Sequence, residues 1–177
     1  MQASQINESG GQPLQFRPLS AFQAGTIHDL LSECYASLLA DLSEPEHRAI
    51  LQRQWQETDQ FAFAMKDTPV GDCFFITCRQ DVPIGMGSFD PRSLPGSASI
   101  GQNCVLPAYR GKGYGKFQLR HILALLRLRH ASKIIVVTSA HPFFLPAQRM
   151  YQSCGFQETC RFPGVFAECI QYELTLA

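Results

Sequence analysis

Val105-Leu106-Pro107-Ala108-Tyr109-Arg110-Gly111-Lys112-Gly113-Tyr114-Gly115-Lys116 is the most informative segment of this 177-residue chain. It predicts the end of a strand, a tight glycine loop and the start of a helix. The first N–H groups of a helix have no acceptor within the helix, and the helix dipole adds positive charge there. Glycine allows φ > 0 and lets an anion approach the backbone closely. The segment therefore predicts a site for a phosphate or pyrophosphate.

The residues in and around these glycines exclude two common nucleotide-binding loops. A P-loop needs Ser or Thr after Gly-Lys to hold magnesium, but Gly111-Lys112 is followed by Gly113, and Gly115-Lys116 by Phe117. A dinucleotide fingerprint needs G-x-G-x-x-G and an acidic residue about 20 residues later. The spacing here is G-x-G-x-G, and the segment 133–138 contains no acid.

A third kind of loop fits the residues. Arg110-x-x-Gly113-x-Gly115 resembles the R/Q-x-x-G-x-G/A signature of the GNAT superfamily of acyl-CoA N-acyltransferases. Val105-Leu106-Pro107 resembles the V-x-P exit from that family's fourth strand. Ala147-x-x-x-Tyr151-x-x-x-Gly155-Phe156 resembles its A-x-x-x-Y-x-x-x-G-F helix and strand. The close match covers about residues 97–174, and the N-terminal half fits in outline.

The resemblance implies an α/β fold (α+β in some schemes). It comprises a single twisted mixed β-sheet of about seven strands, flanked by about four helices, in which the fourth and fifth strands are parallel and splayed. The length is that of one domain, so residues 13–177 are expected to form one N-acetyltransferase domain. Residues 1–12 are rich in Gln, Ser and Gly and are expected to be disordered or tag-like.

The residues themselves predict the order of elements. Strands are expected at 14–19, 72–79, 82–89, 97–106, 133–138, 156–162 and 168–174, with a turn at 80–81. Helices are expected from a cap at Ser20 or Thr26 through Leu38, from Pro45, over 115–130, and from Pro146 to a C-terminal cap at Gly155. The run Ile134-Ile135-Val136-Val137 predicts a strand buried on both faces.

The resemblance also implies a reaction and its site. Acetyl-CoA would be the co-substrate, and a primary amine would attack its thioester directly. Tyr151 stands where the family has its general acid, although a core aromatic is the alternative interpretation. The residues implied to bind CoA are Cys104, Val105, Arg110, Gly111, Lys112, Gly113, Tyr114, Gly115, Lys116 and Ala147.

The chain departs from the family at two points. Many members have Asn seven residues before the tyrosine, where this chain has Phe144, which suggests an apolar acceptor channel or a longer acyl group. The fourth strand carries Gln102 and Asn103 instead of a glutamate base. His141 is then a candidate base through water, against the alternative of a solvated loop histidine. Glu168 and Asp90 are weaker candidates, and a water relay without a dedicated base is equally open.

The composition of the chain limits the classes of molecule that we expect it to bind. The net charge is zero, whereas nucleic-acid-binding proteins usually have a basic excess, and no stretch has the apolar length of a membrane span. Seven cysteines without a C-x-x-C pair, and no apparent signal peptide, predict a cytoplasmic protein without a metal. The expected partner is a small-molecule or protein amine. The sequence leaves the oligomeric state open, although the GNAT fold that it resembles often forms homodimers. The alternative from another class is an acyl-CoA-binding sensor without turnover.

Overall fold

A computed structural model describes residues 5–6 and 14–176 of the chain, with side chains for 14–176. Its strands are β1 (Gln5–Ile6), β2 (Leu14–Pro18), β3 (Phe74–Arg79), β4 (Val82–Asp90), β5 (Ser97–Val105), β6 (Lys133–Ser139), β7 (Gln157–Phe162) and β8 (Cys169–Thr175). Its helices are α1 (Thr26–Cys34), α2 (Ala36–Asp41), α3 (Pro45–Ala64), α4 (Tyr114–Leu128) and α5 (Leu145–Ser153). The prediction of disorder for residues 1–12 lies outside the described residues, apart from Gln5 and Ile6.

The chain forms two compact units. The first comprises the chain up to Ser88 together with Gln102–Gln118, and the second comprises Phe89–Gly101 and the chain from Leu119 onward. β5 and α4 each contribute residues to both units. The assignment of residues 13–177 to one acetyltransferase domain stays a prediction.

The strands of the first unit form an antiparallel series in which β1 pairs with β2, β2 with β3, and β3 with β4. Gln80 and Asp81 connect β3 to β4 with φ angles of 51° and 63°. This left-handed conformation is typical of a two-residue hairpin turn. The hairpin predicted from the sequence is therefore confirmed. Ile76 of β3 faces Met86 of β4, and both are fully buried.

The start of α1 differs from the prediction. Its N-cap is Gly25, with φ at 98°, and not Ser20 or Thr26. Asp59 of α3 supplies the missing side-chain cap, because its carboxylate accepts hydrogen bonds from the N–H groups of Gly25 at 2.8 Å and Ile27 at 2.9 Å. The predicted helix is also divided in two, since α1 ends at Cys34 and α2 begins at Ala36.

The second unit contains the parallel part of the sheet. β6 lies between β5 and β8, and β7 is the outer strand. The parallel pairing of β5 with β6 runs only from Ser97↔Lys133 to Ile100↔Val136, so the ladder ends before either strand does, as the resemblance implies for this pair. The other described strand pairs are antiparallel. The sheet is therefore mixed, and the predicted fold class is confirmed.

One strand prediction is wrong. β6 alternates instead of being buried on both faces: Ile134 and Val136 are buried, whereas Val137 is 46% exposed. β-Branched residues suit a half-buried face as well as a fully buried one, so the apolar run could not distinguish the two.

Among residues 5–6 and 14–176, no helix is long and apolar enough to cross a membrane. Within the same ranges, no group of three or more His, Cys, Asp or Glu side chains is arranged to hold a metal ion.

Candidate active site

The glycine loop follows a single 3-10 turn, Pro107–Tyr109, that begins after β5. Gly111 and Gly113 have φ angles of 74° and 80°, which side-chain-bearing residues rarely adopt. A Cβ at either position would meet no atom within 4 Å. Glycine is therefore needed here for backbone conformation, and the space beside both residues is open.

The helix begins directly after this loop, as predicted. Tyr114, Gly115 and Lys116 form the first turn of α4, and Phe117 N–H donates to the Gly113 carbonyl at 3.1 Å. The N–H groups of Tyr114 and Gly115 precede that bond, in the part of a helix that supplies no internal acceptor. Gly115 belongs to the helix, so its backbone does not need the left-handed conformation of the two glycines before it.

Arg110 holds the loop in place. Its Nε donates to the carbonyl oxygen of Val105 at 3.0 Å, and its Nη2 donates to the carbonyl oxygen of Cys34. The side chain thus connects the glycine loop to the end of β5 and to the end of α1. The sequence indicates Arg110 only as a charge beside the loop, and the contact with Cys34 has no sequence signal because Cys34 lies 76 residues earlier.

Lys112 is the second cation of the loop. Its Nζ donates to the Ala108 carbonyl at 3.2 Å and lies 5.5 Å from the centre of the Tyr109 ring. The ammonium is therefore held close to the loop backbone. Arg110 and Lys112 together give the loop two positive charges, which favours an anion.

Cys104 and Val105 lie at the buried end of β5. A hydrogen bond with the Cys104 thiol, together with burial, raises the pKa of the Cys34 thiol well above its usual range, so the Cys34 sulfur stays protonated. On α4, the buried side chain of Gln118 donates to the Cys104 carbonyl. Gln118 is a functional candidate that the sequence alone does not reveal, and its one signal there is a polar residue in an apolar helix pattern.

Tyr151 belongs to the second unit, with Ala147 one helical turn before it on α5. Its ring is 5% exposed and packs against the rings of Phe156 at 5.7 Å and Tyr172 at 6.3 Å. This packing is what the core-aromatic interpretation expects, and the acid role stays a prediction.

The end of α5 is confirmed as predicted. Gly155 has φ at 91°, Gly155 N–H donates to the Gln152 carbonyl, and Phe156 N–H donates to the Tyr151 carbonyl. These two bonds form a Schellman motif, which fixes the backbone at Tyr151.

His141 caps the 3-10 turn Pro142–Phe144. Its Nδ1 accepts a hydrogen bond from Phe143 N–H at 3.2 Å, so the neutral imidazole carries its proton on Nε2. Neither ring nitrogen can then take a further proton while this bond is made. The role of His141 as a base stays a prediction, and it requires that the capping bond break.

The weaker base candidates are engaged with arginines. Asp90 accepts from Arg92 Nε at 2.8 Å, and hydrogen bonding to Arg92 lowers the pKa of Asp90. Glu168 accepts from Arg161 Nη1 at 3.0 Å. The lowered pKa makes Asp90 a weaker base, and the carboxylate of Glu168 is engaged in an ion pair.

Phe144 belongs to a small aromatic group in the second unit. Its ring stacks on that of Phe166 at 6.4 Å and contacts Phe143 edge to face at 5.0 Å, and Phe166 also contacts the His141 ring at 5.9 Å. All four rings are partly buried. The connection between β6 and α5 is therefore apolar, as its sequence predicts.

Comparison with known families shows which family the chain belongs to. The model of the Acetyltransferase (GNAT) family matches residues 26–156, more than half of the chain. The chain belongs to the GNAT acetyltransferase family. No curated protein matches the chain.

Solved GNAT structures share the fold at low identity. The PaiA N-acetyltransferase of Thermoplasma acidophilum, solved with coenzyme A, has a TM-score of 0.74 at 13% identity, over 92% of this chain and 99% of that one. RimL, a ribosomal L7/L12 alpha-N-protein acetyltransferase solved with coenzyme A, has 0.67 at 14%, over 98% of both chains. The yncA acetyltransferase of Salmonella typhimurium, solved with acetyl-CoA, has 0.58 at 19%, over 93% and 94%.

The GNAT motifs divide between the two units of the chain. The glycine loop, Cys104 and Val105 belong to the first unit, whereas His141, Ala147 and Tyr151 belong to the second. Within the first unit, the structure brings the loop together with the end of β5 through Arg110. Within the second, it brings His141 together with the aromatic group that precedes α5.

Proposed function

We propose that this protein transfers the acetyl group of acetyl-CoA to a primary amine. The observation that carries the proposal is the GNAT family match, whose range includes a loop with two left-handed glycines and two cations. The amine nitrogen would attack the thioester carbonyl carbon, so that a C–N bond forms and the C–S bond breaks. One amine proton leaves, and the departing CoA thiolate takes up a proton.

The loop residues fit the pyrophosphate of CoA. Open space beside Gly111 and Gly113 would admit a phosphate close to the backbone, and the N–H groups at the start of α4 would donate to it. Arg110 and Lys112 would add positive charge. Solved neighbours in this family contain CoA or acetyl-CoA, which supports CoA as the co-substrate.

The thioester would lie beside β5. A backbone N–H at Cys104 or Val105 is the proposed donor to the tetrahedral oxyanion, because a fixed donor at the developing charge gives the largest single benefit in acyl transfer. The pantetheine arm would pair with the same strand, and Ala147 of α5 is proposed to pack against it. The small Ala side chain would allow this approach.

Tyr151 is the proposed general acid. A phenol, with an ordinary pKa near 10, is a suitable donor to a thiolate. The Schellman motif fixes its backbone, and ring packing limits its side chain. His141 remains the proposed base only in a state in which Phe143 N–H has released its Nδ1. Otherwise water takes the proton, or the amine arrives neutral.

The test is CoA release from acetyl-CoA with a panel of primary amines, both small molecules and peptides with free N-termini or lysines. We expect thiol release with at least one amine, and a loss of about 10- to 1,000-fold in kcat for Tyr151→Phe. Tyr172→Phe is the matched control, since Tyr172 is an equally buried tyrosine of the same unit. Equal kcat values for the Tyr151 and Tyr172 variants would contradict the acid role.

Two alternatives rest on specific observations. The engaged Nδ1 of His141 favours a sensor that binds acyl-CoA without turnover. Binding of acetyl-CoA without thiol release from any amine would support that alternative. The aromatic group around Phe144 favours an acyl chain longer than acetyl, and competition between acetyl-CoA and longer acyl-CoAs decides that point. The cytoplasmic location and the homodimer stay predictions.

A further inference from the structure

Gln118 is a polar side chain in a place where an apolar one would be expected. It lies on α4, between Phe117 and Leu119, and is 0% exposed. Burying an amide is unfavourable unless it makes hydrogen bonds. Its contacts should therefore explain why the chain has glutamine there.

The amide nitrogen of Gln118 lies between two facing strands. Nε2 donates to the carbonyl oxygens of Met86 on β4 and Cys104 on β5, each at 3.1 Å. Leu106 N–H donates to the Ile84 carbonyl, a register in which Met86 faces Cys104. The side chain of Gln118 thus holds the backbone of both strands at this point.

Two side chains on β5 and β4 extend this network. Gln118 Nε2 also donates to Oδ1 of Asn103 at 2.7 Å, which fixes the Asn103 carboxamide. The two hydrogens of Nε2 thus serve three acceptors, so one of them is shared in a bifurcated bond. Nearby, Gln102 N–H donates to the Ser88 hydroxyl at 2.8 Å. Side chains therefore supply hydrogen bonds to backbone groups over this part of the β4–β5 pair.

Gly85 provides the space for Gln118. A Cβ at position 85 would lie 2.3 Å from the Cys104 carbonyl oxygen and 2.8 Å from Gln118 Oε1. Both distances are shorter than any real contact of a Cβ atom. The approach of Gln118 to β5 thus depends on the absence of a side chain on the neighbouring strand.

Stability alone does not account for the glutamine. Among the described residues, buried Gln118 Oε1 and buried Asn103 Nδ2 have no hydrogen-bond partner. Unpaired buried polar atoms are costly, and an apolar residue of the same shape would avoid them. Natural proteins retain such costs where a function needs the arrangement.

We propose that Gln118 is a positioning residue for the proposed acetyl transfer, and that it acts by orienting the peptide between Cys104 and Val105. This peptide is planar, and in a trans peptide the C=O and the N–H point in opposite directions. Gln118 fixes the Cys104 carbonyl toward β4 and α4. It thereby fixes the direction of the Val105 N–H, which points away from β4. This N–H is one of the two proposed oxyanion donors, so the inference rests on the proposed function.

The first test replaces the donor with an apolar group of similar shape. For Gln118→Met we expect kcat with acetyl-CoA to fall about 10-fold or more, as when an oxyanion donor is misplaced. Affinity for the adenosine bisphosphate half of CoA, which the loop would bind, should stay within about twofold. Gln56→Met, at an exposed glutamine of α3, is the control and should match the wild type.

A second variant separates positioning from stability. In Gln118→Glu, a protonated carboxyl can still donate one hydrogen bond to the carbonyls, whereas a carboxylate cannot. Its kcat relative to the wild type should therefore rise as the pH falls. If Gln118 had only a structural role, kcat would change together with the melting temperature and with the affinities for acetyl-CoA and for the adenosine bisphosphate half of CoA. A positioning role predicts that kcat changes with pH while these three quantities stay close to those of the wild type.

The outcomes separate the two proposals. A wild type without thiol release from any amine overturns the proposed function, and this inference with it. A wild type that is active, with a Gln118→Met variant whose kcat is within about twofold of it, overturns the inference alone. A loss of kcat with unchanged affinity for the adenosine bisphosphate half supports the inference, as does recovery of Gln118→Glu at low pH.

Discussion

Arg110 donates a hydrogen bond to the backbone carbonyl of Cys34, a residue 76 positions earlier in the chain. The same guanidinium donates to the Val105 carbonyl. Because the last carbonyls of a helix lack internal donors, the cation also satisfies the C-terminus of α1 and interacts favourably with its dipole. Arg110, which the sequence indicates only as a positive charge for an anion, thus also fixes the loop that would bind that anion.

Arg110→Ala should therefore affect two properties at once. We expect CoA binding to weaken by about 1–3 kcal/mol, the usual contribution of charge-assisted hydrogen bonds, together with a lower free energy of unfolding. Calorimetry with CoA and denaturant titration measure the two. Lys112→Ala is the control for stability, because the Lys112 side chain donates to a backbone carbonyl within its own loop and its loss should change stability little. Unchanged stability in Arg110→Ala would contradict the dual role.

Gly113→Ala tests the left-handed backbone of the loop. A Cβ at φ of 80° should cost about 1–2 kcal/mol or force the loop to rearrange, and either effect should weaken binding of CoA. Gly115→Ala is the matched control, because Gly115 lies within α4, where alanine is favoured over glycine by up to about 1 kcal/mol. If both variants bind CoA like the wild type, the loop is not the pyrophosphate site.

Asp59→Ala tests the cap of α1. Three N–H groups, those of Gly25, Ile27 and His28, would lose their carboxylate acceptor, so we expect a destabilisation of about 2 kcal/mol or more in denaturant titration. Glu57→Gln, which removes an exposed ion pair with Arg53, should change stability by less than about 0.5 kcal/mol. Equal effects of the two substitutions would show that the cap is unimportant.

His121 predicts how stability depends on pH. Burial lowers the pKa of this α4 histidine to about 4, below its ordinary value near 6.5. The unfolded chain therefore binds a proton between these two values and the folded protein does not. His121 therefore does not reduce the free energy of unfolding above pH 6.5. As the pH falls from 6.5 toward 4, the free energy of unfolding decreases by about 1–3 kcal/mol. In a plot of the free energy of unfolding against pH, His121→Leu should reduce the slope between pH 4 and 6.5. An unchanged slope would contradict this role of His121.

Local features were readable from the sequence because their causes lie within a few residues. The Gln80–Asp81 turn, the Gly155 cap and the glycine loop each depend on the φ angles that their own residues allow. The order of strands and helices followed for the same reason, together with the resemblance that the motifs carry.

Distant contacts were not readable. Asp59 caps a helix that begins about 30 residues before it, and Gln118 reaches Met86, 32 residues earlier. Neither contact has a local signature, so the sequence favours Ser20 or Thr26 as the cap of α1 and indicates no role for Gln118. The exposed Val137 shows a different limit, since apolar character does not reveal which face of a strand is covered.

The most direct test of the central claim is release of CoA thiol from acetyl-CoA by the wild-type protein, measured across a panel of primary amines. Mass spectrometry of the amine product should accompany it. The account predicts an acetylated amine formed in equal amount to free CoA, with turnover greatly reduced in Tyr151→Phe. Absence of acetyl-CoA binding, or of an acetylated product with every amine, would contradict it.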